Sequence, residues 1–136
     1  MSIPSVVKNP PFNITRSSHV RYFVTDLETS LRFYTEILGL VVSDQDSDTA
    51  YLRGIEEACH HSVVLMRRRD TPAAECVGMR GASEDDLHRA QEHIIAAGGT
   101  ATFVERPYQG PTLQTTFGEG TPTVELCSSM PVLPRL

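Results

Sequence analysis

The chain has 136 residues, a formal net charge of −5, 40% hydrophobic residues and 21% charged ones. That is enough for one domain with its own core and too acidic for a nucleic-acid footprint. No apolar run approaches a membrane span, the proline-containing start carries no apolar signal segment, and three cysteines with no C-x-x-C pair fit reduced thiols in the cytoplasm.

Residues 1–15 read as an irregular amino-terminal tail. Val20, Tyr22 and Val24 then alternate with Arg21 and Phe23, the period of a half-buried strand. Thr25-x-x-Glu28 has the spacing of a capping box, and Leu27, Leu31, Tyr34 and Leu38 share one helical face. Gly39 stands where a left-handed cap ends a helix. Leu40–Val42 and Thr49–Arg53 flank an acidic turn as a hairpin. Asp44-x-Asp46-x-Asp48 in that turn lacks the glycine and distal glutamate of a calcium loop, and reads as solvated. A third strand is expected over His61–Met66, followed by a solvated basic run, Arg67–Arg69, and a linker at Thr71–Ala74.

The second half repeats this order. Glu75–Arg80 reads as a strand, Ser83-x-x-Asp86 as a second cap, and Leu87, Ala90, Ile94 and Ala97 as a helical face closed by Gly98-Gly99. Three extended segments follow, over 100–105, 112–117 and 123–127, and a proline-punctuated tail or linker over 131–136. Gly81 stands at the end of a strand, as a bulge or a local weakening. The predicted fold class is therefore α+β: two βαβββ units, about 16–70 and 74–130, forming a single module over 16–130 with a mixed, curved sheet.

Several strings carry a resemblance. They are His19-Val20-Arg21-Tyr22-Phe23-Val24-Thr25-Asp26-Leu27, Phe33-Tyr34-Thr35-Glu36-Ile37-Leu38-Gly39-Leu40, Ala50-Tyr51-Leu52-Arg53-Gly54, His60-His61-Ser62-Val63-Val64-Leu65, Val104-Glu105-Arg106-Pro107-Tyr108-Gln109-Gly110 and Val124-Glu125-Leu126. Together they resemble the vicinal oxygen chelate superfamily of glyoxalases, bleomycin-resistance proteins and dioxygenases, over roughly residues 14–130. The nearer likeness is to the amino-terminal module of type I extradiol dioxygenases, the catechol 2,3-dioxygenase and homoprotocatechuate 2,3-dioxygenase kind. That resemblance implies ring cleavage of a small catechol-type aromatic with Fe(II) or Mn(II). It also implies a homodimer or a second, catalytic module as partner.

The resemblance places metal ligands at His19 and Glu125, with the remaining histidine due near Cys76, where the sequence has none. His61 is the first candidate for the third ligand, and His60 and Cys76 are weaker ones. Two alternatives stay open. Either the triad is completed in this way, as in a dimeric glyoxalase-like metal enzyme or a small-molecule-binding protein, or the chain holds no metal. In the second case it is the scaffolding half of a dioxygenase. His88 and His93 are expected to face solvent on the second helix, and Cys59, Cys76 and Cys127 to be inert thiols.

Overall fold

The alternation at Val20, Tyr22 and Val24 lies in β1, Ile14–Val24, the longest strand of the computed structural model, which describes residues 2–136. α1 (Leu27–Arg32) follows, then a π-helical turn (Phe33–Ile37) and strands β2 (Val41–Gln45), β3 (Thr49–Arg53) and β4 (Val63–Arg67). The second unit is β5 (Ala73–Gly81), α2 (Glu84–Ala96), β6 (Thr100–Arg106), β7 (Gly110–Thr116) and β8 (Thr123–Cys127). All eight strands form one mixed sheet in the order β2-β3-β4-β1-β5-β8-β7-β6. The α+β class and the doubled βαβββ order are thus the observed ones.

Each unit closes on itself through a parallel pair, β1 with β4 and β5 with β8. The units join where β1 and β5 run antiparallel at the centre. Each helix covers the sheet of its own unit. Leu27 of α1 packs with Ala50, Leu52 and Leu65, and Leu87 and Ala90 of α2 pack with Ala101, Leu113 and Leu126. Burying each of the leucines contributes about 1.5–3 kcal/mol, so these clusters hold the helices down.

The helix starts differ in how they match expectation. Ser83 caps α2 as its spacing predicts: its Oγ accepts from the Asp86 N–H at 3.2 Å and donates to Asp86 Oδ2 at 2.6 Å. At α1 the cap is Asp26 and not the Thr25–Glu28 box. Asp26 is extended, and its Oδ1 accepts from the Thr29 N–H at 3.0 Å. Glu28 has turned away to accept from Arg67 at 2.7 Å. The choice is physical: Asp offers two strong acceptors one residue closer to the first turn.

The expected apolar face of the first helix also breaks at Leu38. The Leu38 N–H bonds to Phe33 O, one residue further back than in an α-helix. This wide turn rotates the face, so Leu38 is 54% exposed while Leu40 packs on the core. Gly39 and Gly98 do adopt the left-handed cap conformation, with φ of +77° and +93°. Gly81 is a packing residue, because a Cβ there would sit 2.8 Å from Leu87 Cδ2.

Both tails are partly tied down. The Asn13 N–H donates to Asp86 Oδ1 at 2.8 Å, just before β1 begins. At the other end the Leu133 N–H donates to Ala58 O at 2.7 Å, and Arg53 donates to Pro134 O at 2.9 Å. Residues 131–134 therefore lie against the first unit. Among the described residues no helix is long and apolar enough to cross a membrane.

Candidate functional site

The site forms where the units meet. His19 on β1, Gly78 on β5 and Glu125 on β8 occupy one row across three neighbouring strands. Strands two apart are separated by nearly 10 Å, yet His19 Nε2 lies 2.6 Å from Glu125 Oε1. Gly78 makes this reach possible, because any Cβ there would overlap the His19 ring. β1 carries register shifts on both sides of His19–Arg21. Such bulges re-aim side chains, and here Ser18 and His19 are both buried although adjacent.

Glu125 is fully buried and its two oxygens are surrounded by donors. Oε1 accepts from His19, from Arg21 Nη2 at 2.9 Å and from Gln109 Nε2 at 3.0 Å. Oε2 accepts from Arg21 Nη1 at 3.1 Å and from Arg106 Nε at 3.4 Å. Burial alone would push this carboxyl up. The hydrogen bonds from His19, Arg21 and Gln109 and the guanidinium charge overrule it and hold the group far below the usual carboxylate range. Burial works against the imidazolium of His19 too, but Cys127 and Glu125 beside it outweigh burial and raise its pKa.

A directional chain of hydrogen bonds leads away from Glu125. A carboxylate only accepts, so Gln109 must donate to it from Nε2 and turn Oε1 towards His61. His61 Nε2 then donates to Gln109 Oε1 at 3.1 Å, and the ring's remaining lone pair at Nδ1 accepts from His60 Nδ1 at 3.0 Å. Both nitrogens of His61 are thereby engaged. Its ring is kept neutral chiefly by burial, assisted by the charges of His19, His60 and Arg21, and its pKa falls to about 3. The Tyr108 ring stacks on His60 at 3.7 Å between centroids, and its hydroxyl reaches Asp44 of the acidic turn.

Among the described residues, one cluster brings three ligating side chains together: His19, Cys76 and Glu125, whose ligand atoms lie within 4.8 Å of one another. His61 stands beside it, 5.6 Å from His19 between ring centroids, and His60 one residue further out. The metal that the fold family implies meets an obstacle here. Arg21 Nη1 lies 3.4 Å from Cys76 Sγ, and the same guanidinium makes the two-point contact with Glu125. A dication about 4 Å from a guanidinium is repelled by roughly 8 kcal/mol at an effective dielectric of about 20. Burial and Glu125 also push the Cys76 thiol up, away from the thiolate a metal needs. With Arg21 in place, these residues do not fit a divalent ion.

The remaining candidates lie elsewhere. His88 and His93 are exposed on α2, near Phe103 and Phe12. The acidic turn is organised by its own backbone, with Asp46 Oδ1 accepting from the N–H groups of Asp48 and Thr49. The three cysteines are free. Arg21, Gly78, Arg106 and Gln109 are the site residues that sequence reading did not single out. Arg21 carried a signal nonetheless. It follows His19 by two residues on a strand, so it shares the inward face, and an arginine so placed needs a buried acid.

Comparison with known proteins agrees with this architecture. The Glyoxalase/Bleomycin resistance protein/Dioxygenase superfamily matches residues 16–119. A metapyrocatechase of Pseudomonas sp. (strain CF600) is 34% identical over 86 residues, covering 62% of this chain and 28% of that protein. A metapyrocatechase of Geobacillus stearothermophilus is 28% identical over 82 residues, covering 60% of this chain and 25% of that protein. Homoprotocatechuate 2,3-dioxygenase of Brevibacterium fuscum, solved in complex with 3,4-dihydroxyphenylacetate, superposes with a TM-score of 0.87 at 28% identity. That superposition covers 99% of this chain and 42% of the dioxygenase. The chain spans about a quarter of the length of the two curated relatives.

Proposed function

The chain belongs to the glyoxalase, bleomycin-resistance protein and dioxygenase superfamily, and on that premise we propose that it is the metal-free module of an extradiol, catechol-cleaving dioxygenase-type protein. Ring opening of the catecholic substrate would take place at Fe(II) or Mn(II) in a companion module of the same architecture. This module would contribute support and positioning. The observation that carries the reading is the two-point Arg21–Glu125 pair at the centre of a fold shared with homoprotocatechuate 2,3-dioxygenase. The exposed Phe33, Ile37 and Leu38 beside α1 favour a second module or a second copy alongside.

The test is ring cleavage by the purified chain. Loaded anaerobically with Fe(II) or Mn(II) and given catechol or 3,4-dihydroxyphenylacetate in air, it is expected to form no ring-opened product above free metal. Elemental analysis after desalting is expected to find no stoichiometric iron or manganese. Turnover with one metal per chain would overturn the proposal and favour a stand-alone metal enzyme, and the mass in solution would then show whether it works as a homodimer.

A further inference from the structure

We propose that Arg21 is the resident cation of this module: its guanidinium takes the place of a divalent metal between Cys76, Glu125 and His19, and by occupying it keeps the module metal-free. The inference rests on the metal-free reading above but not on catechol chemistry.

Three observations carry it. The first is contact. The guanidinium touches two of the three convergent donors, Cys76 Sγ and both oxygens of Glu125, while His19 Nε2 is bonded to the same carboxylate. The second is delivery. Arg21 sits two residues from His19 on β1 and is only 5% exposed, so the central strand fixes the charge in the site. The third is access. Arg21, Tyr51, Arg106 and Gln109 line a cleft of about 190 Å³, which His19, Cys76 and Glu125 do not line, so the guanidinium is the part of the cluster that reaches the cleft.

With the Arg21 guanidinium removed, a thiol, an imidazole and a carboxylate would remain, with Arg106 Nε still 3.4 Å from the second oxygen of that carboxylate. That donor set selects a borderline to soft ion of tetrahedral habit, Zn(II) or Co(II), over Mg(II) or Ca(II).

The experiment is a Co(II) titration of the whole chain, followed by absorbance. The wild-type protein and Arg21→Lys, which keeps the charge, are expected to stay silent. Arg21→Ala is expected to bind one equivalent, with an intense near-ultraviolet thiolate-to-cobalt band and tetrahedral visible bands. Both should vanish in Arg21→Ala/Cys76→Ser. A thiolate band in the wild type or in Arg21→Lys overturns the proposal, as does a folded Arg21→Ala that binds nothing. Should Arg21→Ala fold only with metal, circular dichroism is expected to show recovery by Zn(II) that Cys76→Ser abolishes; no recovery also overturns it. Ring cleavage by the wild-type chain would require a bound metal and so would overturn both readings, whereas a cobalt–thiolate band in a wild-type chain that cleaves no ring would overturn this one alone.

Discussion

Gly78 lies directly beneath the ring of His19, and there is no room for a methyl group between them. Gly78→Ala must therefore push the ring off Glu125 or displace β5. Overpacking of this kind, with a lost charged hydrogen bond, is expected to cost about 2–3 kcal/mol in urea denaturation. In a His19→Ala background the same change should cost less than about 1 kcal/mol, because the obstructed ring is gone. Equal losses in both backgrounds would show that the ring is not what excludes the Cβ.

Removing one partner of the central ion pair should be severe. Glu125→Ala leaves Arg21 buried with only the partly exposed Glu75, 3.1 Å from Nη1, as its acid, and is expected to lose about 3 kcal/mol. The double variant Arg21→Met/Glu125→Leu removes both charges and should regain most of that loss. Urea midpoints at constant slope would measure the difference.

His61 gives a pH signature. Its pKa is about 3 in the folded protein against an ordinary value of 6.5, so the unfolded chain binds the proton more readily. Its contribution to stability is fully present above pH 6.5 and is lost as pH falls towards 3. His60 shifts in the same direction, first through burial and then through the charge of Arg53. Between pH 6.5 and 5 the wild type should lose stability through His61, approaching about 1.4 kcal/mol per pH unit at the lower end. His61→Gln should flatten that slope. His19, whose pKa is raised, keeps its contribution throughout this window and loses it only as pH rises through its folded value.

The cap at α1 separates two neighbouring side chains. Asp26→Ala is expected to cost about 1 kcal/mol and Thr25→Ala almost nothing. Thermal melts that rank them the other way would restore the Thr25–Glu28 box.

Thiol reagents should find the cysteines in the order set by burial. Cys59 is partly exposed, whereas Cys76 is 3% and Cys127 0% exposed. One thiol per chain is expected to react in the native protein and three in denaturant. Fast native modification of Cys76 would place it on the surface.

Much of this architecture is written in local chemistry. The alternation along β1, the Ser83 cap and the stops at Gly39 and Gly98 act within a few residues, so they can be read directly. The wide turn at Phe33–Ile37 is not local in that sense. With it, Leu40 and not Leu38 packs on the core of the first unit. The site divides in the same way. His19 and Glu125 stand out by residue type and place on their strands. Gln109, which joins Glu125 to His61, and Gly78, which acts through an absent side chain, matter only once three strands lie side by side.

The join between the units bears on which halves can pair. In the central antiparallel pair Val20 faces Val77, so a twofold axis there relates His19 to Cys76 and Arg21 to Gly78. The same operation relates Glu125, beside Gly78, to Val64, beside Arg21. The backbone is close to symmetric, but the side chains at its centre are opposites. Two copies of the first unit would crowd two arginines together with valines in place of the acid. Two copies of the second would bury two glutamates around a glycine-lined gap. Only the unlike pair matches charge to countercharge and ring to hollow, so each half is shaped to refuse its own kind.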